Sequence, residues 1–256
     1  MAEADALREA GTAGGPQGSA ATDDGSIMSL VDHLGELRTR IFRSLLAVAL
    51  GSVVGFIFAQ QIIEFLVQPL PEGGRELQVL DPGGAFLINL RIAFVVGVIL
   101  AMPVILLQAW RFVAPGLTAL ERRIVRPWIP LALGFFALGV ALAYVVLPYA
   151  VAFLVSFGSD VLVVRLAAGP YFDFVTTMFL AFGLVMEFPI LLFGLSRVGL
   201  VTSDRLRRAR RFVILGIAIF AAVVTPGGDL VSPFALGLTM YTLFELTLFA
   251  IRRSGR

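Results

Sequence analysis

Charge disappears from long stretches of this chain. Ser44 to Ile63, Ile92 to Trp110 and the 33 residues from Pro127 to Ser159 contain no Asp, Glu, Lys or Arg. At 1.5 Å per helical residue each is long enough, or nearly so, to cross about 30 Å of hydrocarbon. A fourth apolar run, Tyr171 to Val198, carries Asp173 near its start and Glu187 well inside it. A fifth runs from Phe212 to Val224 and a sixth from Phe234 to Ile251, separated by the breaker-rich Thr225-Pro226-Gly227-Gly228-Asp229. A helix over the fifth run spans only about 20 Å, so this last pair is either re-entrant or two short helices crossing a locally thinned bilayer. The sixth run is long enough to cross, which favours six crossings. The pattern predicts an all-α polytopic membrane domain over 27–253, with spans at 40–63, 86–113, 127–154, 171–198, 211–224 and 234–251. Residues 1–26, rich in Ala, Gly, Ser and acids, read as a disordered cytosolic tail without the apolar stretch of a signal peptide, and 254–256 as a cytosolic end.

Composition agrees: 58% of residues are hydrophobic and 15% charged, against about 25% charged in an ordinary soluble domain. All 20 basic residues are Arg, and Lys and Cys are absent. That removes a Walker A lysine, a Schiff-base lysine, thiol nucleophiles and cysteine metal sites. The single histidine, His33, lies outside the apolar runs, which leaves an intramembrane hydrolase without a histidine base. No metal site or cofactor is expected. The arginines cluster between apolar runs, a membrane pattern and not a nucleic-acid one. With six crossings, 16 of them (from Arg38, Arg40 and Arg43 through the Arg205–Arg211 group to Arg256) fall on one side, and Arg75, Arg91 and Arg165 on the other. The positive-inside rule then puts both termini in the cytosol. No repeat and no matching pair of interrupted helices appears, which argues against an inverted-repeat carrier.

With charge so scarce, the acids are the candidates for chemistry. Before the first span, Leu30, Leu34, Leu37 and Ile41 line one helix face and Asp32, Glu36 and Arg40 another. Glu36 either pairs with Arg40 one turn on, for about 0.2 to 0.5 kcal/mol, or accepts an external cation. Glu121, on the same side of the membrane, is either a solvated carboxylate neutralised by Arg122 and Arg123 or the second half of an acceptor for two guanidinium groups. A guanidinium forks onto a carboxylate in a way lysine cannot imitate. Glu187 lies within a span, where an acid costs on the order of 2.5 to 3.5 kcal/mol, so it should face a wet cavity, find a partner or hold a proton. Pro189 beside it frees a backbone carbonyl near position 185. Glu245 near the end of the last span has snorkelling or a local partner as its plain explanation, and Asp229 a turn cap.

These residues fall into an ordered series that resembles TatC, the multispanning receptor subunit of the twin-arginine protein translocase. The series runs from His33-Leu34 and Glu36-Leu37-Arg38 through Gln68-Pro69-Leu70, Pro103-Val104-Ile105-Leu106, Phe112-Val113-Ala114-Pro115-Gly116-Leu117 and Glu121-Arg122-Arg123. Ala181-Phe182-Gly183, Glu187-Phe188-Pro189, Thr225-Pro226 with Asp229, and Phe244-Glu245 complete it. The resemblance implies six spans with short final helices and cytosolic termini in a bacterial cytoplasmic membrane. It also implies a receptor, not an enzyme, that binds twin-arginine signal peptides of folded precursors. Transport is then driven by the proton-motive force with single-span TatA and TatB subunits, the receptor contacting membrane lipid and forming a homo-oligomer within its complex. By the same resemblance, Glu36 and Glu121 are the recognition pair, with His33, Arg38 and Phe112 in the signal-binding set. Glu187 matches the family's transmembrane glutamate, and Thr225, Asp229 and Pro69 are expected at helper contacts or the outer loops. Pro233 stands where many relatives carry Gln, so a side-chain amide contact is lost there. The competing reading is a proton-coupled solute or ion carrier working through Glu187.

Overall fold

A backbone surrounded by hydrocarbon must satisfy its hydrogen bonds within its own segment, so the long uncharged runs are bound to be helical. A computed structural model of the chain describes residues 30–70, 76–119, 122–123, 128–158, 165–197, 201–225 and 229–253. The expectations for the tail 1–26, the end 254–256 and Glu121 lie outside the described residues. The chain divides into two units, Met1–Glu36 and Leu37–Arg256; of the first, residues 30–36 are described, as the opening turns of a helix.

The described residues form α1 (Leu30–Ile57), α2 (Ala59–Val67), α3 (Gly84–Val113) closing in a 3-10 turn (Ala114–Gly116), and α4 (Trp128–Val155). They continue with α5 (Ala168–Val185), α6 (Phe188–Arg197), α7 (Ser203–Val224) and α8 (Val231–Arg253). Among the described residues the extended pairing is a single parallel bridge between Gln78 and Ala167, in which Gln78 N–H donates to Leu166 O and Ala168 N–H to Gln78 O. Five stretches are long and apolar enough to cross a membrane: His33–Ile57, Gly84–Gly116, Trp128–Val155, Ala168–Ser196 and Val231–Arg253. The fifth apolar run of the sequence is the C-terminal part of α7. Its helix has 22 residues, but Asp204 and Arg205, Arg207, Arg208, Arg210 and Arg211 occupy the first half, leaving only Phe212–Val224 uncharged.

Within the larger unit, α5 is the central element, packed by α3, α4, α7 and α8. Phe182, Met178, Phe136, Leu147, Leu236 and Phe244 are fully enclosed. α4 and α5 approach closely: a Cβ added to Gly183 would lie 2.7 Å from Cε2 of Phe136, and one added to Gly139 would strike the Phe182 carbonyl. Glycine at both positions lets each helix sink toward the other. Much of the exterior is apolar too: Val223 is 78% exposed, and Phe42, Leu50, Leu191, Phe212 and Phe249 are exposed with it. A surface of that kind is unfavourable in water and neutral in lipid. The protein is a polytopic, all-helical membrane protein.

Candidate functional site

Pro189 shapes the centre of the site. Lacking an N–H and clashing with the carbonyl four residues back, it cannot continue α5, and the helix stops at Val185 and restarts as α6 at Phe188. Glu187 sits in this break. Its own N–H donates to Leu184 O (3.1 Å), and its carbonyl accepts from Ile190 and Leu191 N–H (both 3.1 Å). The local turn holds the backbone firmly and releases the side chain from either helix's regular face.

The Glu187 carboxyl lies in the wall of a cavity of about 400 Å³. Leu106 and Trp110 of α3, Trp128 of α4, and Ile190 and Leu191 of α6 supply much of the remaining, mostly apolar, lining. Glu187 is only 8% exposed, and its Oε1 has no hydrogen-bond partner among the described residues. Three buried threonines behave differently: the hydroxyls of Thr176, Thr225 and Thr247 donate to the carbonyls four residues back at 2.6 to 2.7 Å. They are satisfied inside their own helices, whereas Glu187 presents an open acceptor in an apolar chamber. Such an arrangement receives an apolar segment carrying one hydrogen-bond donor, or water.

His33, Glu36 and Arg38 lie on α1, the first two in the smaller unit and Arg38, exposed, in the larger. Phe112 is half-buried in the last turn of α3. Glu36 lies in one unit and Glu121 lies outside the described residues, so the expected pair is left untested. Within the larger unit α1 is joined to α3: Arg40 Nη1 donates to Oε1 of the buried Gln108 at 3.3 Å, one turn before Phe112. Pro69 is half-buried just past α2, whose end is tied down by Tyr171 O–H donating to Leu66 O at 2.7 Å. Thr225 and Asp229, both buried, flank residues 226–228 between α7 and α8. Oδ2 of Asp229 accepts from Ser232 N–H at 2.6 Å, so Asp229 caps the start of α8, and its Oδ1 has no partner among the described residues. Pro233 sits in the first turn of α8, where its missing N–H costs nothing.

Three features escaped the pattern of acids and apolar runs. Arg91 of α3 pairs with Asp173 of α5, a contact between segments far apart in the chain. Gln108, the lone amide in the Ile92 to Trp110 run, is buried and bound. Trp110 and Trp128, far apart in sequence, meet as walls of the Glu187 cavity, for which the sequence held no signal. Glu245 has the local partner that explains it: Arg210 Nη2 donates to its Oε2 at 2.6 Å.

Comparison with known proteins places this geometry. Residues 32–238 match the family model described as Sec-independent protein translocase protein (TatC). A protein of that name from Carboxydothermus hydrogenoformans is 33% identical over 223 residues, covering 87% of this chain and 92% of the relative. Another from Synechocystis is 36% identical over 230 residues, covering 90% of each. Among solved structures, a crystal structure of the twin-arginine translocase receptor TatC superposes with a TM-score of 0.77 at 33% identity, over 88% of this chain and all of that one.

Proposed function

This chain belongs to the TatC family of Sec-independent protein translocase proteins, and from that premise we propose that Glu36 and Glu121 receive the paired arginines of signal peptides on folded precursors. The family is a translocase component and not an enzyme. The solute-carrier reading of Glu187 is not favoured by relatives that move proteins. The observation that carries the proposal is the family match over residues 32–238, which takes in Glu36, Glu121 and Glu187 together.

Energetics define what else the signal must touch. Charge-assisted hydrogen bonds contribute about 1.5 to 3 kcal/mol each, so two arginine contacts give roughly 3 to 6. Micromolar affinity needs about 8 kcal/mol. The difference comes from the signal's apolar segment, for which the cavity walls around Trp110, Ile190 and Leu191 are a suitable surface. The arginines then supply specificity, with Arg38, His33 and Phe112 also in the signal-binding set, while Glu187 holds water or a polar group of the signal or a helper inside the membrane. Thr225, Asp229 and Pro69 lie where single-span TatA and TatB type helpers would make contact. The arginine count per side supports cytosolic termini, and the family match supports a bacterial inner membrane, with the proton-motive force driving transport and copies of this chain assembling in the receptor complex.

The test compares cross-linking or affinity of twin-arginine and twin-lysine signals for the parent, Glu36→Ala and Glu121→Ala. Discrimination between the two signals is expected to fall in both variants. Unchanged discrimination in both would remove the assignment.

A further inference from the structure

On the arginine-rich side of the protein, α4, α6 and α8 leave a crevice of about 360 Å³ lined by Trp128, Phe193, Phe249, Ala250 and Arg253. Its walls are aromatic and aliphatic. Trp128 and Phe193 stack with their centroids 3.9 Å apart, and Phe249, 63% exposed, faces away from the helix core. Trp128 opens one membrane-crossing stretch and Arg253 closes another. The crevice therefore sits where hydrocarbon gives way to headgroups, the level at which tryptophan is enriched.

Among the described residues Arg253 is the one charged residue lining the crevice. The preceding acid on α8, Glu245, lies more than two turns back and is held by Arg210. Arg253 has no carboxylate partner among the described residues. An apolar slot whose lining includes a guanidinium free of carboxylates among the described residues matches a molecule that joins an acyl chain to an anionic phosphate. From this we infer that the crevice seats one anionic phospholipid, its acyl chain against Trp128, Phe193 and Phe249 and its phosphodiester on Arg253. A guanidinium forks onto phosphate oxygens. A zwitterionic lipid offers the same phosphate but brings a cation toward Arg252 and Arg253, which disfavours it. Trp128 also lines the Glu187 cavity, so the lipid braces from outside a wall shared with the functional chamber.

Trp110 and Trp128 are the chain's two tryptophans, so Trp110→Phe leaves Trp128 as the sole indole emitter, beside the crevice. The full chain carrying that change is reconstituted in phosphatidylcholine vesicles with a minor fraction of phosphatidylglycerol. Dibrominated acyl chains, which quench indole on contact, are placed on an equal fraction of one lipid or the other. Brominated phosphatidylglycerol is expected to quench with an apparent preference of about fivefold, the factor that ~1 kcal/mol per basic residue at a membrane surface gives. Arg253→Gln should bring the two lipids to parity, while Arg252→Gln, which does not line the crevice, retains the preference. Equal quenching by both lipids in the parent overturns the proposal without any charge variant. So does a preference that survives Arg253→Gln, or one lost equally in both variants, which would belong to the arginine belt as a whole.

Discussion

Replacing Glu187 with leucine should make the protein more stable and abolish transport. An acid at the centre of a membrane helix costs about 2.5 to 3.5 kcal/mol on insertion scales, whereas leucine contributes about −0.3 to −0.6. In a dry site the exchange would therefore be favourable by about 3 to 4 kcal/mol. The cavity of about 400 Å³ beside the carboxyl has ample room for water, which recovers part of the hydration lost on burial, so the net gain expected is about 1 to 3 kcal/mol. Leucine is close to glutamate in size, so no large void or overpacking offsets the gain. Unfolding of the full chain in detergent, followed by helicity against added denaturant, measures the stability, and export of a folded precursor in cells measures function. Glu187→Gln, which keeps hydrogen bonding but not charge, should lie between parent and leucine variant in stability. A leucine variant less stable than the parent would mean that Oε1 has a strong partner in the resting fold. A leucine variant that transports normally would mean that the acid serves no step.

Gly183→Ala places a Cβ 2.7 Å from the Phe136 ring, and overpacking of this kind costs about 1 to 3 kcal/mol. Phe136→Leu in the same chain should recover part of that loss in a detergent unfolding titration, and a neutral Gly183→Ala would contradict the close α4–α5 approach. The Arg210–Glu245 contact is partly exposed, at 46% and 31%, so Arg210→Gln should cost no more than about 1 kcal/mol. Exchanging both charges, Arg210→Glu with Glu245→Arg, should restore most of it in a double-mutant cycle, and a full cycle with zero coupling would show that the pair does not tie α7 to α8.

The sequence made the helices legible because lipid leaves a chain so few choices: uncharged length alone implies the crossing stretches, and Pro189 beside Glu187 marked the place where α5 breaks. Asp229 was readable as a cap because its bond to Ser232 N–H is local, three residues on. Contacts between distant segments were not readable. The packing of α4 on α5 depends on Gly139 and Gly183 meeting Phe182 and Phe136, and a glycine in an apolar run looks the same whether it faces lipid or a neighbouring helix. The same limit hid the convergence of Trp110 and Trp128 on the Glu187 cavity. α7 shows a subtler effect: its apolar run is short, yet the helix extends back through the arginine group, because Arg is a good helix former and Thr202 caps the start by accepting from Arg205 N–H. Hydropathy measures the length suited to hydrocarbon, which is not the length of the helix.

Whether this chain is the receptor through which folded twin-arginine precursors leave the cytosol is decided by deleting it from its own cell and locating one such precursor. The folded precursor is expected to accumulate in the cytosol, and export to return with the parent chain but not with a Glu36→Ala, Glu121→Ala double variant. Export that continues undiminished without the chain would contradict that role.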